Sequence, residues 1–510
     1  MKQLNIAFFL SVSTNCLGGA DNTLFMQALL LKPYHNVTIV LPCDEEGKTN
    51  TIFQHKCEIH RLQYRIFSYN AATAIRFIDL VDYKRDLQDI EKFVIANKIH
   101  VLHSVQINPA VEFISRKLGI PHVMNIYSLE DWEWNIPYLD IFPQYVSSDS
   151  EFFLQKWKHY LNCKGRCIRV FDEIGIKKEN QKNKSRIVIG AAGTIYTFKN
   201  QLAIIKAVEF ERKQGRQIQL LLAGEDSSYY ANSCKEYVEK HQLQEDIIFL
   251  GFVEDMSSFF DRIDIFICAS RRESFPASIV EAISCNIPVI STPVGGVPEI
   301  LADRHNAYIT RGYSAAGLAE AIEKYYSDQE EGRLVYILDN EAKTYQKYFS
   351  AEAVKHQLEE MYVEVCGLET GSVESSCWND IEGKLFSMTS YKGIETLEKK
   401  DKKCFFSKLL YLYQIKSFIK MGGCYIWGAG KWGKITKVLV ECLGGELEIK
   451  AFVDSKKTGY LDGIRIIKKE EMELKEDTII FIAFTDEQWK AVEYLEGQHM
   501  KFLKNVFIIA

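Results

Sequence analysis

The stretch RRESFPASIVEAISCNIPVISTPVGGVPEI, residues 271–300, follows the apolar run IDIFICAS and decides the fold of the chain. The apolar run predicts a buried strand, and Pro276, whose φ is fixed, suits the first position of a helix that ends near Cys285. Asn286 favours a left-handed cap, and Pro288 precedes the next strand, PVIST. The order strand, loop, helix, strand is typical of a parallel α/β sheet.

The start of this helix offers free backbone N–H groups and the positive end of the helix dipole, which favour an anionic ligand such as a phosphate. Glu273 lies just before the helix, and Glu281 lies eight positions later, about two turns along it. The two carboxylates can therefore contact one extended ligand at different points. A surface glutamate followed by an ordinary helical glutamate would give the same spacing.

The segment resembles the donor-binding motif of the retaining glycosyltransferases of family 4, which have the GT-B fold. The features that carry the resemblance are Glu273, Glu281, Pro288-Val289, Gly295-Gly296 and Glu299. The resemblance implies that Glu273 approaches the donor sugar and that Glu281 holds the ribose hydroxyls, since an ionised carboxylate accepts both protons. It also implies that backbone groups of Ser274, Phe275 and Pro276 flank the hydroxyls and phosphates of the donor.

Length and composition limit the class of protein. A chain of 510 residues predicts roughly three domains, and 47% hydrophobic with 25% charged residues predicts a soluble globular protein. The net charge of −6 argues against nucleic-acid binding, and no apolar run reaches the roughly 20 residues of a membrane-spanning helix. The apolar residues near the start fit a first strand better than a secretion signal, because no A-x-A site follows them.

Thirteen cysteines fit a reduced, cytoplasmic location. Cys268, Cys285 and Cys424 fall inside apolar patterns, where free cysteine behaves as a small hydrophobic residue. Cys163 and Cys167 have no matching second pair, so a zinc site is not expected.

Residues 1–175 are predicted to form a first Rossmann-like domain, on the acceptor side. Strands are expected near residues 4–12, 37–41, 100–103, 122–126 and 145–148, and they alternate with helical segments. Gly18 and Gly19 at the first turn allow close approach of a ligand. The family resemblance assigns both to the donor phosphate, while a tight turn without a ligand is the alternative.

The acceptor side departs from the family pattern. Family members often carry a histidine in a T-x-H-D-like turn after the strand that follows "IP", and Tyr127 occupies that place here. His103 and Asp131 are the other candidates for an acceptor-side role. A histidine at the end of a strand can equally be structural.

The polar run at residues 176–186 is predicted to be a linker, and residues 186–366 a second Rossmann-like domain that binds the donor. Six parallel strands with helices on both faces are expected, with the site at the carboxyl ends of the strands. The loop GFVEDM, which contains Val253, matches the family's loop around the nucleobase. By resemblance, the last helix returns to the first domain and the cleft between the domains is the active site.

The strand RIVIGAAG ends at Gly193, and Lys199 follows just before a helix. The family places an arginine after this glycine and a lysine five residues later, both directed at the donor diphosphate. Lys199 stands at the lysine position, whereas Thr194 replaces the arginine. Arg271 or Arg272 could supply the missing cation.

Residues 367–422 are predicted to be a linker with a helical segment, and residues 423–510 a third, small Rossmann-like module. Gly428, Gly430 and Gly433 follow a strand and open a helix, and the next strand ends at Asp454. This context is that of a dinucleotide-binding fingerprint. It also resembles small modules attached to sugar-modifying enzymes of bacterial polysaccharide pathways, so a dinucleotide is a possible ligand.

Residues 399–423, just before this module, carry apolar residues on one helical face with a lysine border. Such a helix can lie on an anionic membrane without crossing it. A helix packed between two domains would have the same pattern.

The family resemblance, together with these observations, implies a metal-independent retaining glycosyltransferase that uses Glu273 and Lys199. It would move a sugar from a nucleotide diphosphate sugar to a glycan or lipid-linked acceptor in bacterial surface polysaccharide biosynthesis. No D-x-D sequence stands at a strand end, so no metal and no cofactor are expected for transfer. The location would be cytoplasmic or peripheral to the inner face of the membrane. A nucleotide-sugar epimerase and a non-catalytic sugar-nucleotide-binding regulator remain the alternatives, because Thr194 and Tyr127 depart from the family.

Overall fold

The structure is a computed structural model. It describes residues 2–12, 14–15, 18–44, 46–69, 80–106, 108–127, 143–161, 163–174, 186–367, 422–442, 447–484, 488–501 and 505–509. Within these residues the chain forms three Rossmann-like sheets that are parallel or mainly parallel. The predicted α/β class, with two Rossmann-like domains and a third small one, is confirmed.

The first sheet has seven strands, all parallel. They are β1 (Asn5–Phe9), β2 (Asn36–Cys43), β3 (Gln63–Ser68), β4 (Val101–Val105), β5 (His122–Asn125), β6 (Tyr145–Ser148) and β7 (Lys164–Cys167). The helices are α1 (Gly19–Leu31), α2 (Thr51–Ile59), α3 (Leu80–Ala96), α4 (Pro109–Leu118) and α5 (Glu151–Leu161). In the order β3-β2-β1-β4-β5-β6-β7, the first strand lies inside the sheet, between β2 and β4. The chain adds β2 and β3 on one side of β1 and then adds β4 to β7 on the other side.

Two strands of this sheet, β3 and β7, were not predicted. Both lie at the edges of the sheet, and their residues QYRIFS and KGRC are largely exposed or half-buried. Strands covered on both faces become continuous apolar runs, whereas an edge strand can keep polar residues. Composition therefore revealed the central strands and not the edges.

The second sheet has six parallel strands, as predicted. They are β8 (Ile187–Ala192), β9 (Ile218–Ala223), β10 (Ile247–Gly251), β11 (Ile265–Cys268), β12 (Val289–Ser291) and β13 (Tyr308–Ile309), in the order β10-β9-β8-β11-β12-β13. The helices that follow are α6 (Gln201–Lys213), α7 (Tyr229–Lys240), α8 (Met256–Arg262), α9 (Ala277–Ser284), α10 (Val297–Ile300), α11 (Ala315–Glu330) and α12 (Leu334–Tyr348). Leu220 and Leu222 belong to one core and Leu221 and Ala223 to another, because alternate residues of β9 face opposite helical layers.

Helix α13 (Ala351–Cys366) follows the second domain in the chain but completes the core of the first. Its buried residues Val354, Leu358 and Met361 pack in the same cluster as β1 and α1. Gln357 also accepts a hydrogen bond from the backbone N–H of Arg169 at 2.9 Å. The first domain is therefore assembled from two distant parts of the chain.

The third sheet contains β14 (Gly422–Trp427), β15 (Leu447–Val453), β16 (Gly459–Leu461), β17 (Ile464–Ile467), β18 (Ile479–Ile482) and β19 (Val506–Ile508). Its helices are α14 (Lys431–Cys442) and α15 (Gln488–Glu496). The order is β16-β17-β15-β14-β18-β19, and only the β16–β17 hairpin is antiparallel among the described pairs. Asp462 and Gly463, with φ of 49° and 81°, close that hairpin with the positive φ angles that a tight primed turn requires.

The two proposed linkers, 176–186 and 367–422, and the basic segment 399–423 lie outside the described residues except at their ends. Among the residues that the structure describes, no helix combines the length and the apolar character that crossing a bilayer requires.

Helix α12 buries a carboxyl group inside the second domain. Glu341 has no exposed surface, and burial raises its pKa well above the ordinary value. The folded protein therefore holds a proton on Glu341 at pH values where the unfolded chain, with a glutamate pKa of about 4.3, has released it. The folded state loses stability as pH rises through this window.

We predict that Glu341→Gln becomes more stable relative to the wild type as pH rises, because glutamine carries no proton to lose. The gap in unfolding free energy should widen by up to about 1.4 kcal/mol per pH unit between about pH 5 and the raised pKa. Urea unfolding at several pH values measures it. A gap that stays constant from about pH 5 to about pH 8 would show that Glu341 does not titrate on unfolding.

Candidate active site

Two loops meet at the carboxyl edge of the second sheet and bring a lysine against a glutamate. β8 and β11 are neighbouring strands, so the loops after them leave the sheet side by side. Lys199 Nζ donates a hydrogen bond to Glu273 Oε1, and Ser270 Oγ donates to the same oxygen at 3.1 Å. The backbone N–H of Arg271 donates to the carbonyl of Phe198 at 2.7 Å and joins the two loops. The two residues predicted to be catalytic thus form one ion pair.

Gly193 lies beside the lysine, and its backbone conformation rather than its lack of a Cβ is what calls for glycine. Its φ of 127° is a conformation that favours glycine, and Lys199 Nζ lies 3.7 Å from where a Cβ of residue 193 would stand. Thr194, in the family's arginine position, has an exposed side chain, and its carbonyl accepts a hydrogen bond from Gln201 Nε2 at 3.1 Å. Lys199 is therefore the cation that the structure brings to this turn.

The charges of the site influence one another. Burial opposes the charge of Lys199, but the adjacent Glu273 carboxylate outweighs burial and raises the lysine pKa. Burial raises the pKa of Glu281 to about 8, Asp172 adds to this effect, and Lys199 opposes it. Below about pH 8, the protonated acid is therefore the main form of Glu281.

Asp172, which raises the pKa of Glu281, also interacts electrostatically with Lys56 on α2 of the first domain. Burial lowers the pKa of Lys56, while the charge of Asp172 raises it. Lys56 Nζ donates to Asn22 Oδ1 on α1 at 2.6 Å. Lys56 was not among the predicted residues, because a lysine in the sequence QHKCE looks like an ordinary solvated helical residue.

A glycine pair packs directly beneath the loop that carries Glu273. A Cβ on Gly295 would overlap the carbonyl oxygens of Glu273 and Ser274, and the residue also has a φ of 50°. The N–H of Gly296 donates to the carbonyl of Ser274 at 2.7 Å. The glycine pair therefore fixes the height of the Glu273 loop above the sheet.

Helix α9 begins one residue later than predicted. Pro276 is the N-cap, with an extended ψ of 114°, and the first helical residue is Ala277. The N-cap provides no side-chain hydrogen bond, so backbone N–H groups of the first turn keep their affinity for an anion. Helix position one suits proline, but the cap also tolerates its φ of −66°.

Ser274 and Phe275 have buried side chains. Ser274 Oγ donates to Asp149 Oδ1 and lies 3.2 Å from Ser150 Oγ, both at the end of β6 in the first domain. Phe275 packs against Phe349, with ring centroids 5.2 Å apart. The predicted donor contacts would thus involve only backbone groups of Ser274 and Phe275, and the Ser274 side chain serves the contact between the domains.

Asp149 and Glu299 extend this contact. Burial raises the pKa of Asp149 to about 7, against the effects of its Ser274 hydrogen bond and of Arg169. Arg169 donates to the carbonyl of Asp149 and forms an ion pair with Glu299 Oε2, both at 2.8 Å. Glu299 also accepts from the N–H groups of Glu151 and Phe152, at 3.0 and 2.8 Å, and so caps α5 across the boundary.

The predicted glycines of the first domain lie at the start of α1. Gly18 is the N-cap and Gly19 the first helical residue, and a Cβ on Gly19 would meet open space. Asp21, which was not predicted, is buried in the same turn and accepts from the N–H of Ser11 at 2.5 Å and its hydroxyl at 2.7 Å. Burial raises the pKa of Asp21.

His103 does not lie where a substrate could reach it. It is fully buried in β4, with Nδ1 2.7 Å from the hydroxyl of Tyr362 on α13, and burial lowers its pKa to about 3. The acceptor-side role considered for His103 is therefore replaced by a structural one. Asp131 lies outside the described residues.

Tyr127, in the family's histidine position, lies just past the end of β5. Its hydroxyl accepts hydrogen bonds from Asn125 Nδ2 at 2.7 Å and Gln27 Nε2 at 3.4 Å. Burial raises the pKa of Tyr127 well above the ordinary value, so the hydroxyl keeps its proton.

Val253 in the predicted nucleobase loop is half-buried against the core of the second domain. Its neighbour Phe252 is 65% exposed. The N–H of Gly224 donates to the carbonyl of Gly251 at 2.8 Å and anchors the loop to the end of β9. The apolar side chain of Val253 thus serves packing.

The third sheet places its predicted motif at the end of β14. A Cβ on Gly433 would overlap the carbonyl of Gly428, whereas a Cβ on Gly430 would meet nothing within 4 Å. Asp454 follows β15 and accepts hydrogen bonds from the N–H groups of Ala429, Lys456 and Lys457, at 3.0, 2.8 and 2.9 Å. These hydrogen bonds lower the pKa of Asp454 against the effect of burial.

Comparison with known proteins supports the fold of the first two domains. A family model described as "Glycosyl transferases group 1" matches residues 172–342, about a third of the chain. The GPI3 subunit of phosphatidylinositol N-acetylglucosaminyltransferase from Saccharomyces cerevisiae is 28% identical over 152 residues, which are 29% of this chain and 32% of that protein. The capsular polysaccharide biosynthesis glycosyltransferase CapM from Staphylococcus aureus is 25% identical over 186 residues, 36% of this chain and 48% of CapM. The chain thus spans about a third to a half of the length of these relatives.

Solved structures share the two-domain GT-B fold. A glycosyltransferase from Rickettsia africae superposes with a TM-score of 0.59 at 17% identity and covers 71% of this chain and 99% of its own. HepE of Anabaena in complex with UDP-glucose superposes with a TM-score of 0.57 at 17% identity, over 70% of this chain and 99% of its own.

We predict that Glu299→Ala destabilises the protein, because the change removes the acceptor of two N–H groups of α5 and the ion-pair partner of Arg169. The loss of unfolding free energy should be roughly 1–3 kcal/mol. Urea unfolding measures it, with the exposed helical change Glu239→Ala as the control. Equal unfolding midpoints for Glu299→Ala and the wild type would contradict the capping role.

Proposed function

We propose that the first two domains form a retaining glycosyltransferase that moves a sugar from a nucleotide diphosphate sugar to a glycan or lipid-linked acceptor. The observation that carries this proposal is the Lys199–Glu273 ion pair beside Gly193, at the carboxyl edge of the second sheet. The family model covers these residues, and the names of the relatives describe a subunit of a phosphatidylinositol N-acetylglucosaminyltransferase and a glycosyltransferase of capsular polysaccharide biosynthesis. A structural neighbour crystallised with UDP-glucose adds support for a nucleotide sugar as the donor.

Lys199 and the start of α9 would receive the diphosphate of the donor. Lys199 forms an ion pair with Glu273, and the first turn of α9 has no side-chain cap. A diphosphate brings negative charge to both groups at once. A lysine about 4 Å from a phosphate oxygen contributes roughly 4 kcal/mol at an effective dielectric constant of about 20, before desolvation. A contribution of this size can stabilise the departing phosphate.

Glu273 would then act on the sugar. When the donor phosphate forms an ion pair with Lys199, the Glu273 carboxylate becomes available to orient the sugar. It can then stabilise the positive charge that develops on the sugar ring. For retention, the bond from the anomeric carbon to the phosphate oxygen breaks, and a bond to the acceptor oxygen forms on the same face. The acceptor hydroxyl gives its proton to the departing phosphate. This route needs no protein nucleophile.

The first domain would hold the acceptor. Tyr127 is the remaining described candidate there, since His103 is buried. Its hydroxyl belongs to a network with Asn125 and Gln27 at the carboxyl end of the first sheet, where ligands of such sheets bind. For a lipid-linked acceptor, we retain residues 399–423 as a proposed peripheral membrane contact.

The decisive experiment incubates the purified chain with a panel of nucleotide sugars, with and without candidate acceptors, and measures both nucleoside diphosphate release and donor isomerisation. Release that depends on acceptor supports the transferase. Isomerisation of donor alone would instead identify an epimerase. Donor binding without turnover under any condition would identify a regulatory protein.

We predict that Lys199→Ala lowers turnover roughly a hundred- to a thousandfold, because a preorganised charge is lost from the leaving group. The fold should be little affected, since the lysine is part-exposed. The matched control is Lys240→Ala, an exposed lysine at the end of α7. Turnover by Lys199→Ala at the wild-type rate would remove Lys199 from the mechanism.

We predict that Glu281→Gln weakens donor binding roughly tenfold at pH values above about 8, because only an ionised carboxylate accepts both ribose hydroxyl protons. The pKa of about 8 gives the sign: wild-type affinity should rise as pH increases through that value, and the variant should lack this rise. Calorimetric titration with donor at several pH values measures both effects, and the exposed Glu330→Gln is the control. If Glu281→Gln binds donor with the wild-type pH profile, the ribose assignment is wrong.

A further inference from the structure

A cavity of about 840 Å³ lies at the carboxyl edge of the third sheet, outside the proposed transferase site. It opens between the ends of β14, β15 and β18, where the chain reverses its direction of winding and where such sheets bind ligands. The volume lies within the usual range for small-molecule and cofactor sites.

The glycines at the end of β14 form a cradle rather than an ordinary turn. Gly428 and Gly433 are required by close packing, because a Cβ on Gly433 would overlap the Gly428 carbonyl. Gly430 differs: a Cβ there would meet nothing within 4 Å, and the residue lines the cavity. The protein keeps open space beside the start of α14, where a diphosphate would approach the backbone.

Asp454 stands where an acid usually binds ribose hydroxyls, but its carboxylate is already engaged. Oδ1 accepts from the N–H groups of Lys456 and Lys457, and Oδ2 accepts from that of Ala429. Three of the roughly four acceptor positions of a carboxylate are thus used within the module. Asp454 organises the loop and has little capacity left to bind a pair of hydroxyls.

The described walls of the cavity are strongly basic. They carry six lysines, Lys431, Lys456, Lys457, Lys468, Lys469 and Lys490, against the two acids Asp454 and Glu470. Lys457 Nζ donates to the carbonyl of Ala429 at 2.6 Å, and Lys468 Nζ donates to that of Ser455 at 2.8 Å, which holds both ammonium groups at the mouth. In Rossmann-type dinucleotide-binding folds, a basic residue near this acid accommodates a phosphate on the ribose.

Aromatic residues complete the lining. Trp427, Trp432, Phe484 and Tyr494 border the cavity, and Lys469 Nζ lies 4.4 Å from the ring centroid of Tyr494. Aromatic faces offer stacking surfaces for a base. Lysines and aromatic rings in one cavity match a ligand that has both phosphates and a flat ring.

We infer that the third module binds a nucleotide diphosphate derivative that carries a further phosphate on its ribose. The open cradle at Gly430 receives the diphosphate, and the lysines that follow Asp454 receive the ribose phosphate. A dinucleotide without that phosphate offers hydroxyls to an acid that is already engaged, and it brings no phosphate to the lysines that follow Asp454. The inference is independent of the proposed transferase activity, because it concerns a different sheet and a different cavity.

Two pairs of probes that differ by the ribose phosphate test the inference on the full chain by calorimetric titration: NADP against NAD, and coenzyme A against dephospho-coenzyme A. We expect at least one phosphorylated member to bind roughly tenfold or more tightly than its partner, as for added charge-assisted hydrogen bonds. The preference should shrink as salt is raised. Equal affinity within both pairs, or no binding of any probe, would overturn the inference.

Variants locate the site. Gly430→Val should weaken binding of the preferred probe at least roughly tenfold while the protein stays folded, because the added side chain fills only the cradle. Lys456→Gln should reduce the preference for the phosphorylated member, whereas Lys475→Gln, an exposed lysine of the same module outside the cavity, should not. Lys199→Ala should leave this binding unchanged. Binding that survives Gly430→Val but is lost in Lys199→Ala would place the ligand in the transferase core and refute the assignment.

Discussion

The close approach of two backbone segments, at Gly295 and at Glu273, is the constraint on which the proposed active site depends. No side chain fits between Gly295 and the carbonyl groups of Glu273 and Ser274, so the two loops stack at backbone distance. The stacking sets Glu273 against Lys199 on one side. On the other side it directs Ser274 toward Asp149 in the first domain. Glu299, four residues beyond Gly295, then reaches the start of α5. One packing constraint thus positions both the charged pair and the contact between the domains.

The predictable part of this protein is the part that is local in sequence. The placement of Lys199 and Glu273 at one edge of the sheet could be predicted because each lies in a loop directly after a buried apolar strand, and adjacent parallel strands deliver such loops to one edge. The six strands of the second sheet are apolar on both faces and therefore stand out. The edge strands β3 and β7 could not be recognised in the sequence, because edge strands tolerate polar residues.

Roles that depend on distant contacts could not be predicted. Ser274 and Glu299 lie in a motif associated with the donor, yet their side chains bind groups of the first domain more than 120 residues away in the chain. His103 was predicted as a candidate for an acceptor-side role, but in the structure it is buried in the core and hydrogen-bonded to Tyr362, 259 residues away in the chain. Asn200 shows the same limit. It precedes a helix like an ordinary cap, but its φ is 60° and its side chain binds the carbonyls of Ala269 and Tyr313.

Helix α13 has a consequence for synthesis of the chain on the ribosome. Residues 1–174 emerge first, but the core they form lacks the apolar face of α13 until residue 366 has been added. At roughly 5–20 residues per second, this interval lasts on the order of 10–40 s. During that time His103 has no Tyr362 to bind, and the surface that will hold Val354 and Leu358 faces solvent. The nascent first domain therefore exposes apolar surface during this interval, and the second domain has the opportunity to fold before the first is complete.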